Sequence, residues 1–433
     1  MSNHVIKNVG WIVGCRIIQS LINFVIGILT ARYLGPSNYG IISFVASVVA
    51  FTIPIMQLGL RHTLVKEIVK TPEREGTIVG TSLVLNVISS LACVIGSVSF
   101  IALVDAGERE TLWVCVLYSL SIIFQATDMI QYWFQAKLLS KYPSIVSLGA
   151  YIVVALYKVY LLATQKSVIW FALSNTLDYL LISIVLMVIY RRIGTQRLSF
   201  DWGLAKQMFS RSKYYIIPSL MVMVFQHTDR IMIKLMLGEA KTGLYSAAIT
   251  CIGITGFVFA AVIDSARPII LAEKGRNEEL FEKRMVQLYS VITYMALAQS
   301  IVMTVLAKPI VMILYGNEFA GSIGILQIAV WFTTFSEYGS VRNIWILAEE
   351  KQKYLMGINV TGAVVNVLLN MGMIPVWGAE GAAIASVITQ FMTNVVIGFV
   401  FKPISYNNKL MLKGLNPKNL WDMVKGMGSR HEQ

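Results

Sequence analysis

The chain has 433 residues, 56% of them hydrophobic and only 14% charged, with a net charge of +13. A soluble domain carries roughly 25% charged residues, and the mean hydropathy here is +0.67, so a soluble globular protein is excluded. The basicity does not point to nucleic acid either, because its distribution follows membrane topology.

A bilayer-spanning helix needs about 20 mainly apolar residues, and twelve such segments stand along the chain. In order they cover residues 9–31, 40–58, 78–103, 111–133, 142–164, 167–190, 214–237, 244–266, 287–306, 320–345, 354–374 and 379–401. The expected fold is an all-α polytopic membrane protein with about twelve transmembrane helices. With the N-terminus in the cytoplasm, 26 of the 36 Lys and Arg fall in cytoplasmic segments, five in outside loops and five within spans. This is the positive-inside pattern, and it puts both termini in the cytoplasm. The segment MSNHVIKNVGW precedes a full-length span and has no small-residue cleavage site, so it reads as part of a retained first helix. The four cysteines (Cys15, Cys93, Cys115, Cys251) lie within spans at no metal or redox spacing and read as apolar packing.

The longest hydrophilic break, residues 191–213, is strongly basic but keeps Leu198, Trp202, Leu204, Met208 and Phe209 at helical spacing. It reads as a cytoplasmic linker lying partly on the membrane surface. It separates an N-terminal six-helix bundle (1–190) from a C-terminal one (214–401), and a basic cytoplasmic tail (402–433) follows. The halves echo each other. Leu34-Gly35 to Gly40 and Ser43, and Leu237-Gly238 to Gly243 and Ser246, both read LGxxxxGxxS at an offset of 203 residues. Lys141-Tyr142 and Lys353-Tyr354 stand before the fifth and eleventh spans. An even number of spans per half gives parallel repeats, a pattern known in transporters.

Nine ionisable residues lie within the spans: Arg16, Asp128, Lys158, Asp178, Asp229, Arg230, Lys234, Glu337 and Arg342. Each costs about 2.5–3.5 kcal/mol on insertion scales, so such groups face a polar interior or one another. A charged, water-filled cavity inside a membrane protein is the functional expectation. Pro54 and Pro218 fall inside the second and seventh spans, as hinges or fixed kinks.

LTARYLGPSNYG after the first span, DRIMIKLMLGEAKTGLYSAA in the seventh and eighth, LYGNEFAGSIGILQI entering the tenth, and VNVLLNMGMIPVWGAEGAAIAS between the eleventh and twelfth carry a resemblance. The chain resembles the polysaccharide-transporter family of bacterial lipid-linked oligosaccharide flippases, O-antigen type, within the exporter superfamily that includes the multidrug and toxin extruders. The likeness runs to about residue 401. It implies two six-helix bundles around a central cavity. The implied function is moving undecaprenyl-diphosphate-linked sugar units to the outer leaflet of the inner membrane, by alternating access coupled to H+ or Na+.

On that reading the cavity must hold a diphosphate and a polar glycan. Arg16, Lys158, Arg230, Lys234 and Arg342 are the candidates for the phosphates, Arg as a planar fork of donors and Lys as a point charge. Arg230 and Lys234 share one helix face. The competing roles are snorkelling for Arg230 with Asp229, and internal pairing of Arg16 or Lys158 with Asp128 or Asp178. Asp128, Asp178, Asp229 and Glu337 are the candidates for ion coupling, with static salt bridges as the alternative. Tyr132, Trp133, Trp331, Tyr338 and Trp345 lie close to these charges, as sugar platforms or as an interfacial belt. Tyr338, between Glu337 and Arg342, is the expected sugar contact.

No cofactor is expected, and no P-loop stands in the chain. His227-x-Asp229 lacks a third metal ligand. The partners expected are the lipid-linked oligosaccharide, membrane lipids, H+ or Na+, and proteins of a glycan polymerisation pathway. A cation-coupled multidrug exporter of the same fold is the first rival. A membrane glycan polymerase or ligase is the second, disfavoured by short outside loops.

Overall fold

The computed structural model describes residues 3–419, without the side chains of residues 3–13 and of His62. All regular structure among these residues is helical. Among them, eight helices are long and apolar enough to cross a membrane, and they account for ten of the twelve expected spans. The first two spans form one bent helix, α1 (Asn3–Met56), with its kink at Gly35, where φ is 70°. The last two likewise share a helix bent at Gly378. The seventh span, which carries Gln226, His227, Asp229, Arg230 and Lys234, falls outside the eight. The tenth is broken near Val330.

The chain divides into two compact units, one ending at Gly243 and one beginning at Leu244. The first unit holds α1, α2 (Leu64–Lys70), α3 (Glu75–Val104), α4 (Arg109–Gln125), α5 (Met129–Ala136), α6 (Lys141–Ala163), α7 (Val168–Ile193), α8 (Trp202–Ser212) and α9 (Ile216–Leu237). The boundary falls inside α10 (Glu239–Gly253). The sequence groups α9 with the second half, yet it packs against α1. Pro218 sits in the first turn of α9. There an N–H has no intrahelical partner to lose, so the proline costs the helix little.

Two apolar clusters fill this unit. One joins Phe44, Val45 and Val49 of α1 to Ile101, Val114, Ile122 and Phe171. The other joins Leu60, Leu64 and Ile68 to Val79, Ile130, Trp133, Phe134, Tyr190 and Met208. The linker is tied down rather than free. Gln196 Oε1 accepts from the Gly76 N–H at 3.0 Å, the Ser199 and Thr77 hydroxyls meet at 2.9 Å, and Arg74 pairs with Asp201 at 3.0 Å. Asp201 caps α8 by accepting from the Leu204 N–H at 2.9 Å, satisfying one of the free donors of the first turn. Met208 of α8 enters the second cluster, while Trp202 stays 70% exposed.

The second unit continues with α11 (Gly256–Leu271), α12 (Glu278–Val305), α13 (Ala307–Leu314), α14 (Ser322–Ala329), α15 (Phe332–Ala348) and α16 (Lys353–Phe391). A π turn (Met392–Val396), α17 (Ile397–Val400) and α18 (Ser405–Gly414) complete it. Its core gathers Phe281, Met285, Tyr289, Ile292, Tyr338, Val341, Trp345, Leu410 and Met411.

Candidate functional site

The first unit contains a cavity of about 790 Å³. Four ionisable groups line it: Arg16 of α1, Arg61, Asp128 and Asp178 of α7. Each arrives by a distinct local device. Arg16 follows the buried Cys15 but is itself exposed, and Gln19, three residues on, shares its face. Arg61 lies in a short 3-10 turn, Leu60–His62, pinned by fully buried Leu60. Asp128 ends another 3-10 turn, between α4 and α5, with buried Ala126 and Met129 on either side. Tyr132 and Gln135 follow at helical spacing on α5, and both line the cavity. Ser140, Ser144 and Ser147 do the same along the start of α6.

The four charges sum to zero, yet they do not neutralise each other pairwise. Among the described residues none of them has an ion-pair partner within 4.0 Å. Asp128 accepts a hydrogen bond from Gln131 Nε2 at 2.8 Å. Asp178 Oδ1 is buried and has no hydrogen-bond partner among the described residues. A buried polar atom left in that state costs free energy unless something else satisfies it. The rest of the lining is neutral and rich in amides and hydroxyls, with Tyr132 and Tyr179 supplying ring faces. Such a wall accepts and donates hydrogen bonds in many directions, as a carbohydrate requires.

Arg16, Asp128 and Asp178 therefore share one site. Lys158 of α6 stands close enough to Asp178 for their charges to interact, but it does not line the cavity. Asp229 of α9 is buried, at 6% exposure. Arg230 is half-buried, with Nη1 3.4 Å from both the Gln226 carbonyl and His227 Nδ1. Lys234 is buried between two carboxylates, 2.9 Å from Asp105 and 2.6 Å from Glu239. It is occupied within the protein.

The remaining candidates lie on α15 in the second unit. Arg342 is 4% exposed, and its Nη1 donates to the Thr393 carbonyl at 2.9 Å, inside the π turn. Its Nε has no partner among the described residues. Tyr338 is buried in the core, its hydroxyl 3.0 Å from Thr293 Oγ1. Glu337 is half-buried beside Ser340. The neighbouring Val395 carbonyl of the π turn accepts from Asn408 Nδ2 at 2.7 Å. Two side chains thus hold carbonyls of a turn whose own hydrogen-bond register is shifted.

Sequence reasoning passed over Arg61, Gln19, Gln131 and Tyr179. The first lies just past residue 58, where the second apolar span ends. The signal that finds it is Leu58-Gly59, a left-handed turn that sends the chain back toward the bundle.

The chain is similar in fold to several solved transporters. The lipid II flippase MurJ in an inward closed conformation matches with a TM-score of 0.74 at 14% identity, over 93% of this chain and 90% of that one. An inward-facing multidrug resistance MATE transporter of the MOP superfamily gives 0.69 at 14% identity, covering 90% and 96%. A MOP superfamily transporter from Pyrococcus furiosus, described as having reversed binding-pocket polarity, gives 0.54 at 13% identity, covering 93% and 96%. No curated protein sequence matches the chain. The polysaccharide biosynthesis protein family model matches residues 5–272, more than half of the chain and all of the elements that build the cavity. By this match the chain, a multi-pass helical membrane protein of transporter fold, belongs to the polysaccharide biosynthesis protein family.

Proposed function

We propose that the protein is a flippase for undecaprenyl-diphosphate-linked oligosaccharides of surface polysaccharide synthesis, working in the bacterial inner membrane with both termini in the cytoplasm. The observation that carries this reading is the cavity of the first unit, which Arg16 and Arg61 share with Asp128, Asp178 and neutral hydrogen-bonding side chains, and where among the described residues neither arginine has an ion-pair partner. Two guanidiniums offer planar forks of donors to a diphosphate. The amides, serines and Tyr132 and Tyr179 suit the sugars next to it. Asp128 and Asp178 are the carboxylates available for coupling to H+ or Na+, because among the described residues neither has a cation within ion-pair distance. Lys158, Arg230, Lys234 and Arg342 are further candidate cations for the substrate and Tyr338 a candidate sugar contact, with Asp229 and Glu337 as further coupling candidates.

The same two carboxylates favour a second reading, a cation-coupled drug exporter. Binding to the purified full chain separates the two. The flippase reading expects saturable binding of farnesyl diphosphate that weakens with salt, and little binding of tetraphenylphosphonium. The reverse preference overturns it.

A further inference from the structure

The turn that carries Arg61 into the cavity is held by the end of the linker helix. Leu58 and Gly59 are consecutive left-handed residues, at φ 51° and 70°. A bulky side chain rarely adopts that conformation, so the surroundings must enforce it. Ser212, the last residue of α8, does so on two sides. Its hydroxyl donates to the Leu58 carbonyl at 2.8 Å, and its own carbonyl lies where any Cβ on Gly59 would be. Ser212 is fully buried, so no water competes for that hydrogen bond. A second tie runs alongside, from Arg211 to Glu67 of α2 at 2.8 Å. Immediately after Ser212 the chain turns through Lys213–Tyr215 into α9.

We infer that Ser212 is a positioning residue for Arg61: the junction of α8 and α9 sets where this guanidinium stands in the cavity. The proposal rests on the flippase reading, since it assumes that Arg61 meets a diphosphate. Its consequence is that the linker is part of the binding site's frame. Any displacement of the α8–α9 junction moves one of the two cavity arginines and leaves Arg16, on α1, in place.

Two double-mutant cycles on the purified full chain test this, with farnesyl diphosphate as the probe and titration calorimetry as the readout. Arg61→Ala is expected to weaken binding about tenfold or more, and Ser212→Ala about threefold to tenfold. Adding Ser212→Ala to Arg61→Ala should cost nothing further, whereas adding it to Arg16→Ala should cost the full factor. A merely structural role would lower affinity equally in both backgrounds, and that result overturns the inference. Wild-type affinity in Ser212→Ala, or in Arg61→Ala while Arg16→Ala is impaired, overturns it as well and leaves the flippase reading standing. A wild-type chain that binds no farnesyl diphosphate brings down the flippase reading itself. Gly59→Ala, which meets the Ser212 carbonyl directly, serves as the stronger second variant, and each variant's size-exclusion profile shows that it is folded.

Discussion

Gly40 and Gly243 pack against each other backbone to backbone, and each also meets the residue four positions before the other. A Cβ on Gly40 would overlap the Glu239 carbonyl and lie 2.9 Å from the Gly243 nitrogen. A Cβ on Gly243 would overlap the Pro36 carbonyl and lie 3.1 Å from the Gly40 nitrogen. Glu239 is the counterpart of Pro36, and Gly243 of Gly40, at the repeat offset of 203 residues. The contact is therefore self-complementary, as at a two-fold axis. The LGxxxxG echo in the sequence is the pair of segments that make this crossing.

Either Gly40→Ala or Gly243→Ala should force the crossing apart. Backbone atoms cannot yield as side chains do, so each is expected to cost about 1–3 kcal/mol. Thermal melting in detergent should show the loss for both single variants. The double variant should lose less than the sum, because one separation relieves both overlaps.

Lys234 lies between two carboxylates, those of Asp105 and Glu239. Lys234→Met should destabilise the chain by about 2–3 kcal/mol, because it leaves the Asp105 and Glu239 carboxylates facing each other without a counter-charge. Neutralising both partners in the same chain, with Asp105→Asn and Glu239→Gln, should restore most of the melting temperature. Failure of that rescue would mean that Lys234 acts outside this triad.

Arg342→Ala removes a buried side chain and its hydrogen bond to the Thr393 carbonyl. A loss of about 2–4 kcal/mol is expected, from the cavity left behind and from the unpartnered carbonyl. Hydrogen exchange should speed up around the π turn, Met392–Val396, ahead of the rest of α16. Unchanged exchange there would show that Asn408 alone holds the turn.

The cap at Asp201 gives a pH signature outside the membrane. Hydrogen bonds from the Leu204 and Gly203 amides, with Arg74 beside them, hold its carboxyl below the usual carboxylate range. A depressed folded value means that this contribution is complete above the ordinary carboxylate pKa. It is lost as pH falls through the lower folded value. Limited proteolysis within residues 194–204 should accelerate only at strongly acidic pH in the wild type, and already at neutral pH in Asp201→Ala.

The sequence made the helical membrane class legible, because span length and hydropathy are local properties. It also marked Arg16, Asp128 and Asp178, since a charge in an apolar stretch is visible without a structure. Which charges meet is not local. Lys234 finds Asp105 across 129 residues, and Tyr338 packs into the core of the second unit. Arg61 was hidden by a left-handed turn that a hydropathy window cannot register. The packing of α9 on α1, and the crossing made by the two copies of the glycine motif, are likewise contacts between segments far apart in sequence.

Transport itself gives the sharpest test. A fluorescent polyprenyl diphosphate bearing a short oligosaccharide, in proteoliposomes holding the purified full chain, reports movement between leaflets. The wild type should move it faster than empty liposomes, and Arg16→Ala should be slower by about tenfold or more at equal protein. A wild type no faster than bare lipid, or an Arg16→Ala protein as fast as the wild type, would contradict the assignment of this cavity to a lipid-linked diphosphate.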